Sequence, residues 1–563
     1  MTLRRCALWL AAFLLLAACA SFVTLDAPYH SDTASYMKTV RAAIETGTLA
    51  AGYTTRPVAG LLLLPLAPLL GEGTLHATMV LAWAGAVLLL CRFFAGSAAT
   101  REPRHLLLAA AAALAWALSP AAFISASHLK EDSLALGLVL VAALAVGAPR
   151  WTLLGGIAFG LGVMTKETAL LCTPLILGLA ALGAVTAGNT GSEHRRRPVL
   201  AGAGMRILAV LGGAIAAVLV VAPSHFAAIA NLTKHASTGQ FLGPFAELPG
   251  RGLEAWHKAL GPVLFWVQLG ALAWPFTERT VSRRLLAGLV VFQAVVLVLF
   301  LGNTTVIHYR HFLWVSALTL PAAALGIGEL AARVTLTRPR AARMAHFGIA
   351  STLLAAAWVL VPELVTVARL RVRYNPVAEF YLRLGASLPP DAVLLGMDYC
   401  EQAEYFTRRR CLAHAGNPSP AEASEYADAL GQELAAGHSV YALPDVFTYD
   451  SQQTVRRALL QRFDALPAFR AWFENYHAMD FGLTLPETRA VIGSSARGCS
   501  VTERRTAPES PPPNLEFSML AFDLQCPEQA PRTTRSFVEL PGGLVLPTLQ
   551  LTTVYQFRPK PAG

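Results

Sequence analysis

The residues of this chain best suited to chemistry are acids that lie beside long apolar runs. Asp32 stands in the polar segment after the first apolar run, and Glu131 and Asp132 stand together just before a later one. A carboxylate within hydrogen-bond reach of an alcohol or amine can remove its proton as a general base. Charged groups near hydrocarbon are costly to hold, so acids at these places indicate a functional site. We predict that Asp32, Glu131 and Asp132 are catalytic residues.

Four basic or imidazole side chains are candidates for binding an anionic group. Lys166 ends the run Gly-Leu-Gly-Val-Met-Thr-Lys, His308 and Arg310 stand at the start of another apolar run, and Arg56 is a weaker candidate of the same kind. A cation beside a reacting phosphate stabilises the negative charge that develops there, and a guanidinium binds phosphate as a fork. For Lys166 the alternative is a lysine whose ammonium only reaches the membrane interface.

The acids also have structural alternatives. Asp32 follows Ser31 and precedes an amphipathic stretch, which is a good signal for a helix N-cap. Glu131 and Asp132 precede an apolar run, where acids interact favourably with the helix macrodipole. The sequence does not choose between these two acids as the group that binds an acceptor or a cation.

The composition indicates a protein that crosses a membrane many times. Of its 563 residues 55% are hydrophobic and 14% are charged, and the mean hydropathy is +0.49; soluble domains carry about 25% charged residues. The net charge of +10 is distributed between apolar runs and forms no single basic stripe, so we predict no nucleic-acid partner. An ordinary soluble enzyme is excluded.

Apolar runs near 20 residues predict about eleven transmembrane helices. They are placed at about 6–25, 75–96, 105–120, 132–148, 151–165, 168–187, 207–223, 258–277, 285–301, 312–332 and 345–364. The segment 58–70 carries Pro65 and Pro68 and is predicted to lie in the interface. The expected fold is therefore an α-helical polytopic membrane domain over 1–365, with a catalytic outer loop at 26–57.

The charge distribution predicts the orientation of the chain. Lys and Arg concentrate in the shorter of the two sets of connections, which places the N-terminus in the cytoplasm and everything after the last span outside. Most acids of the membrane domain, including Asp32, Glu131 and Asp132, then map to the outer side. Arg4 and Arg5 before an apolar run also resemble a signal peptide with a lipoprotein-like box ending at Cys19; we expect an uncleaved helix.

The region 366–563 has mixed polar sequence and predicts a small α/β or α+β soluble domain. Strands are expected at 392–396 and 439–443, and a helix at 453–463. In an oxidising compartment Cys400 with Cys411, and Cys499 with Cys526, are candidate disulfides.

The beginning of the chain resembles the GT-C superfamily of glycosyltransferases. The pattern consists of a first helix, Asp32 in a loop, Tyr36 four residues later, an amphipathic stretch to Gly47 and a second apolar segment opened by Pro57. It is most similar to protein mannosyltransferases and to the aminoarabinose transferase of lipid A. The segments that contain Lys166 and Arg310 also resemble segments of such enzymes.

This resemblance implies the donor and the role of the loop acid. GT-C enzymes of this kind use polyprenyl-phosphate sugars, and the loop Asp is their catalytic or substrate-orienting carboxylate, which is Asp32 here. Thr33 stands where a Glu commonly follows that Asp. This departure puts a metal-dependent role inferred from the pair in doubt, so no cofactor is certain and a divalent cation is left open.

We therefore expect a bacterial inner-membrane glycosyltransferase that transfers a hexosyl or pentosyl group on the periplasmic side. Its partners would be a polyprenyl-phosphate-linked sugar, a lipid, glycan or protein acceptor, and the bilayer. The alternatives are a secondary transporter and a non-catalytic cell-envelope assembly protein. Three features disfavour a transporter: no charges deep within the spans, no paired broken helices, and a large outer domain.

Overall fold

The apolar runs fold into helices, and the mixed polar sequence after them folds into two small sheets. The computed structural model describes residues 3–24, 31–46, 58, 67–97, 103–188, 196–221, 250, 252–278, 280–302, 309–334, 339–373, 375–396, 399–414, 418–448, 454–474, 483–495, 498–507, 516–525, 532–533, 537–541, 543–546 and 549–560. The chain divides into two units. Met1–Thr24 with Thr39–Ala368 forms a helical unit, and Leu25–Lys38 with Arg369–Gly563 forms a mixed unit.

The helices up to residue 373 are connected mostly by short segments. They are α1 (Leu3–Ser21), α2 (Ser31–Thr46), α3 (Thr74–Ser97), α4 (Pro103–Ala117), α5 (Pro120–Ser127), α6 (Asp132–Val146), α7 (Thr152–Thr165), α8 (Thr173–Gly188), α9 (Arg196–Val221), α10 (Leu253–Leu260), α11 (Pro262–Thr277), α12 (Val281–Leu301), α13 (Leu313–Val334), α14 (Pro339–Trp358) and α15 (Val361–Arg373). Short 3-10 turns at Glu167–Cys172 and Tyr309–Phe312 lead into α8 and α13.

A helix occupies each of the eleven predicted positions, although not every one is a complete span. Among the described residues five helices are long and apolar enough to cross a membrane, or seven if each of two bent pairs counts as one span. Of the predicted interfacial segment 58–70, only residues 58 and 67–70 are described.

The prediction that paired broken helices are absent is wrong. α4 and α5 meet at 60°, and α10 and α11 meet at 113°. Pro120 opens α5 at a position where a missing N–H costs nothing. Gly261 joins α10 to α11 at φ 76°, and a Cβ there would lie 2.6 Å from Leu360 Cδ1. Glycine is therefore required at the second bend by the backbone conformation.

α7, which leads to Lys166, packs closely against α9 through glycines. A Cβ on Gly156 would lie 2.3 Å from the carbonyl oxygen of Val210, and one on Gly160 would lie 2.6 Å from that of Ala214. Small residues four apart allow two membrane helices to approach backbone to backbone. This contact fixes the end of α7 from which Lys166 extends.

The mixed unit contains two sheets. Its helices are α16 (Pro376–Ser387), α17 (Cys400–Thr407), α18 (Pro420–Ala435), α19 (Thr454–Arg462) and α20 (Leu485–Ser495). Its strands are β1 (Val393–Gly396), β2 (Cys411–Ala413), β3 (Val440–Ala442), β4 (Phe463–Glu474), β5 (Leu483–Thr484), β6 (Ser500–Thr506), β7 (Ser518–Gln525), β8 (Arg532–Thr533), β9 (Phe537–Glu539), β10 (Leu544–Leu546) and β11 (Leu549–Pro559). The strands predicted at 392–396 and 439–443 and the helix predicted at 453–463 are confirmed.

The first sheet has the order β2-β1-β3-β11-β4, and the second has the order β5-β10-β9-β7-β6 with β8 on β7. β1, β2 and β3 run parallel, connected through α17 and α18, while β11 pairs antiparallel with β3 and β4. One face of the first sheet buries Val393, Leu395 and Val440 under Ala427 and Leu430 of α18. This is the sheet-containing C-terminal domain that the sequence predicts.

One of the two predicted disulfides is confirmed. Cys400 at the start of α17 is bonded to Cys411 at the start of β2, with Cα atoms 5.4 Å apart. Cys499 is also disulfide-bonded, whereas Cys526 lies outside the described residues. β6 pairs Ser500 with Gln525, a register that suits the predicted bond between Cys499 and Cys526.

Candidate active site

A cluster of buried polar side chains lies where α5 turns into α6. Its members come from the end of α5, the turn, the start of α6 and the end of α7: Ser125, Ser127, His128, Lys130, Glu131, Asp132, Ser133, Thr165 and Lys166, each no more than 6% exposed. Polar and charged groups at this density inside an apolar bundle are expensive unless they pair with one another. Their concentration at one place marks it as the candidate site.

The turn between α5 and α6 is held in a strained conformation. Leu129 has φ 58° and is completely buried, although a bulky residue avoids the left-handed region at a cost of about 1–2 kcal/mol. The backbone N–H of Lys130 donates to the carbonyl of Ser125 at 2.9 Å, which closes the turn. The surrounding packing imposes this conformation, and such strain clusters at functional sites.

The turn directs both acids towards Lys166. The ammonium of Lys166 lies 2.8 Å from Glu131 Oε1 and 3.1 Å from Asp132 Oδ1, and neither carboxylate side chain is exposed. Ser125 Oγ donates to Asp132 Oδ2 at 3.4 Å. Lys166 reaches the acids because α7 ends at Thr165 and the backbone becomes extended at Lys166. Three residues predicted separately from the sequence therefore form one ionic cluster.

This contact changes the interpretation of Lys166. The sequence predicts that Lys166 is a phosphate ligand and that Glu131 and Asp132 are catalytic groups. It does not predict that Lys166 contacts the two acids. The two carboxylates hold the ammonium of Lys166 at a fixed place. The cluster can present a fixed cation to an anionic group, and a carboxylate to a hydroxyl or amine donor.

The segment that contains Arg310 lies near the same end of α5. The turn Tyr309–Phe312 packs against α5 and α10, and Phe312 stacks on Trp256 with ring centroids 5.8 Å apart. Arg310 itself is half-buried. The structure thus brings the Arg310 turn to the helix that leads into the acidic turn.

Three other predicted site residues lie partly or wholly outside the described part of the chain. The backbone of Asp32 lies in the first turn of α2, but its side chain is outside the described part of the chain, as are Arg56 and His308. Their proposed roles stay predictions. Among the described residues, no group of three or more His, Cys, Asp and Glu side chains could hold a metal ion.

Sequence reasoning missed the serines of the cluster. Ser125 hydrogen-bonds to Asp132, and the buried hydroxyl of Ser133 has no hydrogen-bond partner among the described residues. Isolated serines are common in apolar helices, so only their position beside the adjacent acids could have indicated a role. Ser133 offers a hydroxyl donor and acceptor within one residue of Asp132.

A second set of ionisable contacts joins other helix ends of the same unit. His105 of α4 lies 2.6 Å from Glu329 of α13, and Arg283 lies 3.4 Å from Glu278. These contacts connect the beginnings of α4 and α12 to the ends of α13 and α11. The cluster at Lys166 involves other helices, since it joins the beginning of α6 to the end of α7.

No protein-family model and no curated protein matches the sequence. The chain is similar to the solved structure of ArnT from Cupriavidus metallidurans bound to undecaprenyl phosphate, with 13% identity, 83% of this chain and 97% of that chain covered, and a TM-score of 0.49. It is also similar to the archaeal oligosaccharyltransferase AglB from Archaeoglobus fulgidus in complex with an inhibitory peptide and a dolichol-phosphate, with 11% identity, coverage of 78% and 70%, and a TM-score of 0.48.

Proposed function

We propose that this protein is a membrane glycosyltransferase that moves a sugar from a polyprenyl-phosphate donor to an acceptor. The observation that carries the proposal is the buried cluster of Glu131, Asp132 and Lys166 beside a strained turn. Ionisable residues buried at the end of a membrane helix bundle are typical of a functional site. The sequence resemblance of the first loop supplies the class of donor.

The proposed reaction is a single displacement at the anomeric carbon. The acceptor oxygen or nitrogen forms the new bond to that carbon while the bond to the phosphate oxygen breaks, and the acceptor proton passes to a carboxylate. Inversion at the anomeric carbon follows from one such displacement. Asp32 is the proposed base, while Lys166 and Arg310 stabilise the charge that develops on the leaving phosphate.

Glu131 and Asp132 have a supporting role in this proposal. Because both contact the ammonium of Lys166, they hold it in place for the phosphate and so provide the preorganisation on which electrostatic catalysis depends. One of them, with Ser133, is also positioned to bind an acceptor group. Loss of either acid should therefore impair transfer without removing the cation.

We also propose that transfer takes place on the periplasmic side of a bacterial inner membrane. The distribution of Lys and Arg supports a cytoplasmic N-terminus. The disulfide between Cys400 and Cys411 supports an oxidising compartment for the residues after 369, because such bonds do not persist in a reducing cytosol.

A secondary transporter is the second candidate, and the bent pairs α4–α5 and α10–α11 favour it. Broken helices in membrane transporters expose backbone groups that bind substrates and ions. The two candidates predict different fates for the donor. A transferase leaves a new glycosidic product in the envelope, whereas a transporter moves its substrate unchanged.

Mass spectrometry of envelope glycolipids and glycans tests the proposal directly. Cells with and without the gene should differ by one sugar on one acceptor. Asp32→Asn and Lys166→Met should each abolish that difference while the protein still inserts, and Lys258→Met should not, because Lys258 belongs to an exposed pair with Glu254. An unchanged glycan and glycolipid profile would refute the transferase, and full product formation by Asp32→Asn would favour an assembly protein.

A further inference from the structure

We propose that Lys38 is a positioning residue. Through ion pairs with Glu401 and Glu404 it holds the first-loop helix α2 against α17, the helix of the mixed unit that the disulfide joins to β2. Its catalytic meaning rests on the proposed function, because Asp32 stands in the same helix. The contact itself belongs to the unit formed by Leu25–Lys38 and Arg369–Gly563. It joins residues more than 360 positions apart in the sequence.

The contact is a three-residue ionic network. The ammonium of Lys38 donates to Glu401 Oε2 at 2.8 Å and also to Glu404 Oε2. The two glutamates stand three residues apart on α17, so their side chains lie on one face of that helix. A single lysine from α2 therefore bridges one helical turn of α17.

Glu404 extends this network to the disulfide. Its second oxygen, Oε1, accepts a hydrogen bond from the backbone N–H of Cys411 at 3.0 Å. Cys411 is bonded to Cys400, the first residue of α17, and its strand β2 pairs with β1. The Glu404 carboxylate that binds Lys38 is thus also held by Cys411, the residue of β2 that the disulfide joins to α17.

The position of α17 is fixed further by the segment that follows it. Arg408 ends the helix at φ 56°, and Arg409 Nε donates to the carbonyl of Pro389 at 2.8 Å. These contacts, with the disulfide, leave α17 little freedom to move relative to the sheet. Glu401 and Glu404 consequently present a fixed pair of carboxylates.

The part of α2 next to Lys38 is tightly packed. Thr33, Ala34, Ser35, Tyr36 and Met37 are each no more than 4% exposed. Asp32 lies six residues before Lys38 on the same helix, which corresponds to about 9 Å along its axis. A rigid helix therefore transmits a shift at Lys38 to the backbone of Asp32.

The charge of Lys38 is maintained by its partners. Partial burial lowers the pKa of Lys38, but the hydrogen bonds and charges of Glu401 and Glu404 outweigh burial and raise the pKa above its ordinary value. Lys38 is therefore positively charged throughout the physiological pH range. A neutral side chain of similar length at position 38 should disconnect α2 from α17.

Hydrogen–deuterium exchange of the full-length protein in detergent micelles tests the connection without any substrate. Lys38→Met should raise the exchange rate of peptides covering 31–38 roughly two- to tenfold, because it removes two partly exposed ion pairs. Glu401→Gln with Glu404→Gln should do the same, and so should Cys400→Ser with Cys411→Ser. Lys258→Met, which removes an exposed pair of the same 2.8 Å length, is the matched control and should leave these peptides unchanged.

Transfer measured on the envelope product separates positioning from a general loss of folding. Lys38→Met should lower the turnover with little change in the amount of inserted protein, and Lys38→Arg should restore both turnover and protection. Unchanged exchange at 31–38 in Lys38→Met overturns the proposal, as does normal turnover despite raised exchange. If exchange rises and no transfer product exists in any strain, the connection stands and the proposed function fails.

Discussion

Removal of the Lys166 ammonium is the most direct test of the buried cluster. Lys166→Met keeps an unbranched side chain of similar length but removes the ammonium that contacts Glu131 and Asp132, whose side chains are both fully buried. Breaking a buried ion pair from one side costs about 3–5 kcal/mol. With about 2 °C per kcal/mol for a large domain, the thermal unfolding midpoint should fall by roughly 6–10 °C.

The matched variant carries Lys166→Met together with Glu131→Gln and Asp132→Asn. It removes all three charges and retains the shapes of the side chains, so most of the lost stability should return, because a buried pair replaced as a whole is often tolerated. Unfolding of both purified variants in the same detergent, followed by intrinsic fluorescence and circular dichroism, gives the comparison. Equal midpoints for the single variant and the wild type would refute the reasoning, as would a triple variant no more stable than the single one.

Two further predictions concern packing and pH. Gly160→Val should destabilise the helical unit by about 1–3 kcal/mol, because even a Cβ at this position would overlap the carbonyl of Ala214. The control is Gly212→Val, which should unfold near the wild-type temperature because nothing lies within 4 Å of a Cβ there. Equal losses of stability in the two variants would contradict close packing of α7. Burial raises the pKa of Glu433, but hydrogen bonds from His438 and Arg410 outweigh it and lower the pKa below 4.5. The stabilisation by Glu433 is therefore present above pH 4.5 and lost as the pH falls through the lowered pKa. The thermal unfolding midpoints of the wild type and Glu433→Gln should differ at pH 6 and become equal in acid. A difference between the midpoints that persisted in acid would contradict this prediction.

The sequence by itself determined the positions of the helices. An apolar run near 20 residues predicts a helix without reference to the rest of the chain, because in lipid the run must satisfy its own backbone hydrogen bonds. A helix is found at each of the predicted positions. The sequence likewise predicted the strands around Leu394 and Tyr441, because short apolar segments indicate strands. It also predicted the disulfide at Cys400 from the presence of a second cysteine nearby.

The bends of the helices depend on packing between them. Pro120 and Gly261 are visible in the sequence as helix breakers, but a breaker can end a helix, kink it or lie in a loop. Only the packed bundle shows that α4–α5 and α10–α11 are bent pairs, with Trp116 Nε1 donating to the carbonyl of Leu313 at 3.1 Å beside the first bend. The expectation that paired broken helices are absent was wrong for this reason.

The contacts that define the candidate site were decided by tertiary structure alone. The sequence identifies Glu131, Asp132 and Lys166 as unusual, but 35 residues separate Lys166 from Glu131, and no local rule joins them. Lys38 and Glu401 are 363 residues apart. Spacing fixes which side chains share a helix face, whereas the packing of α6 against α7, and of the first loop with α17, determines which faces meet.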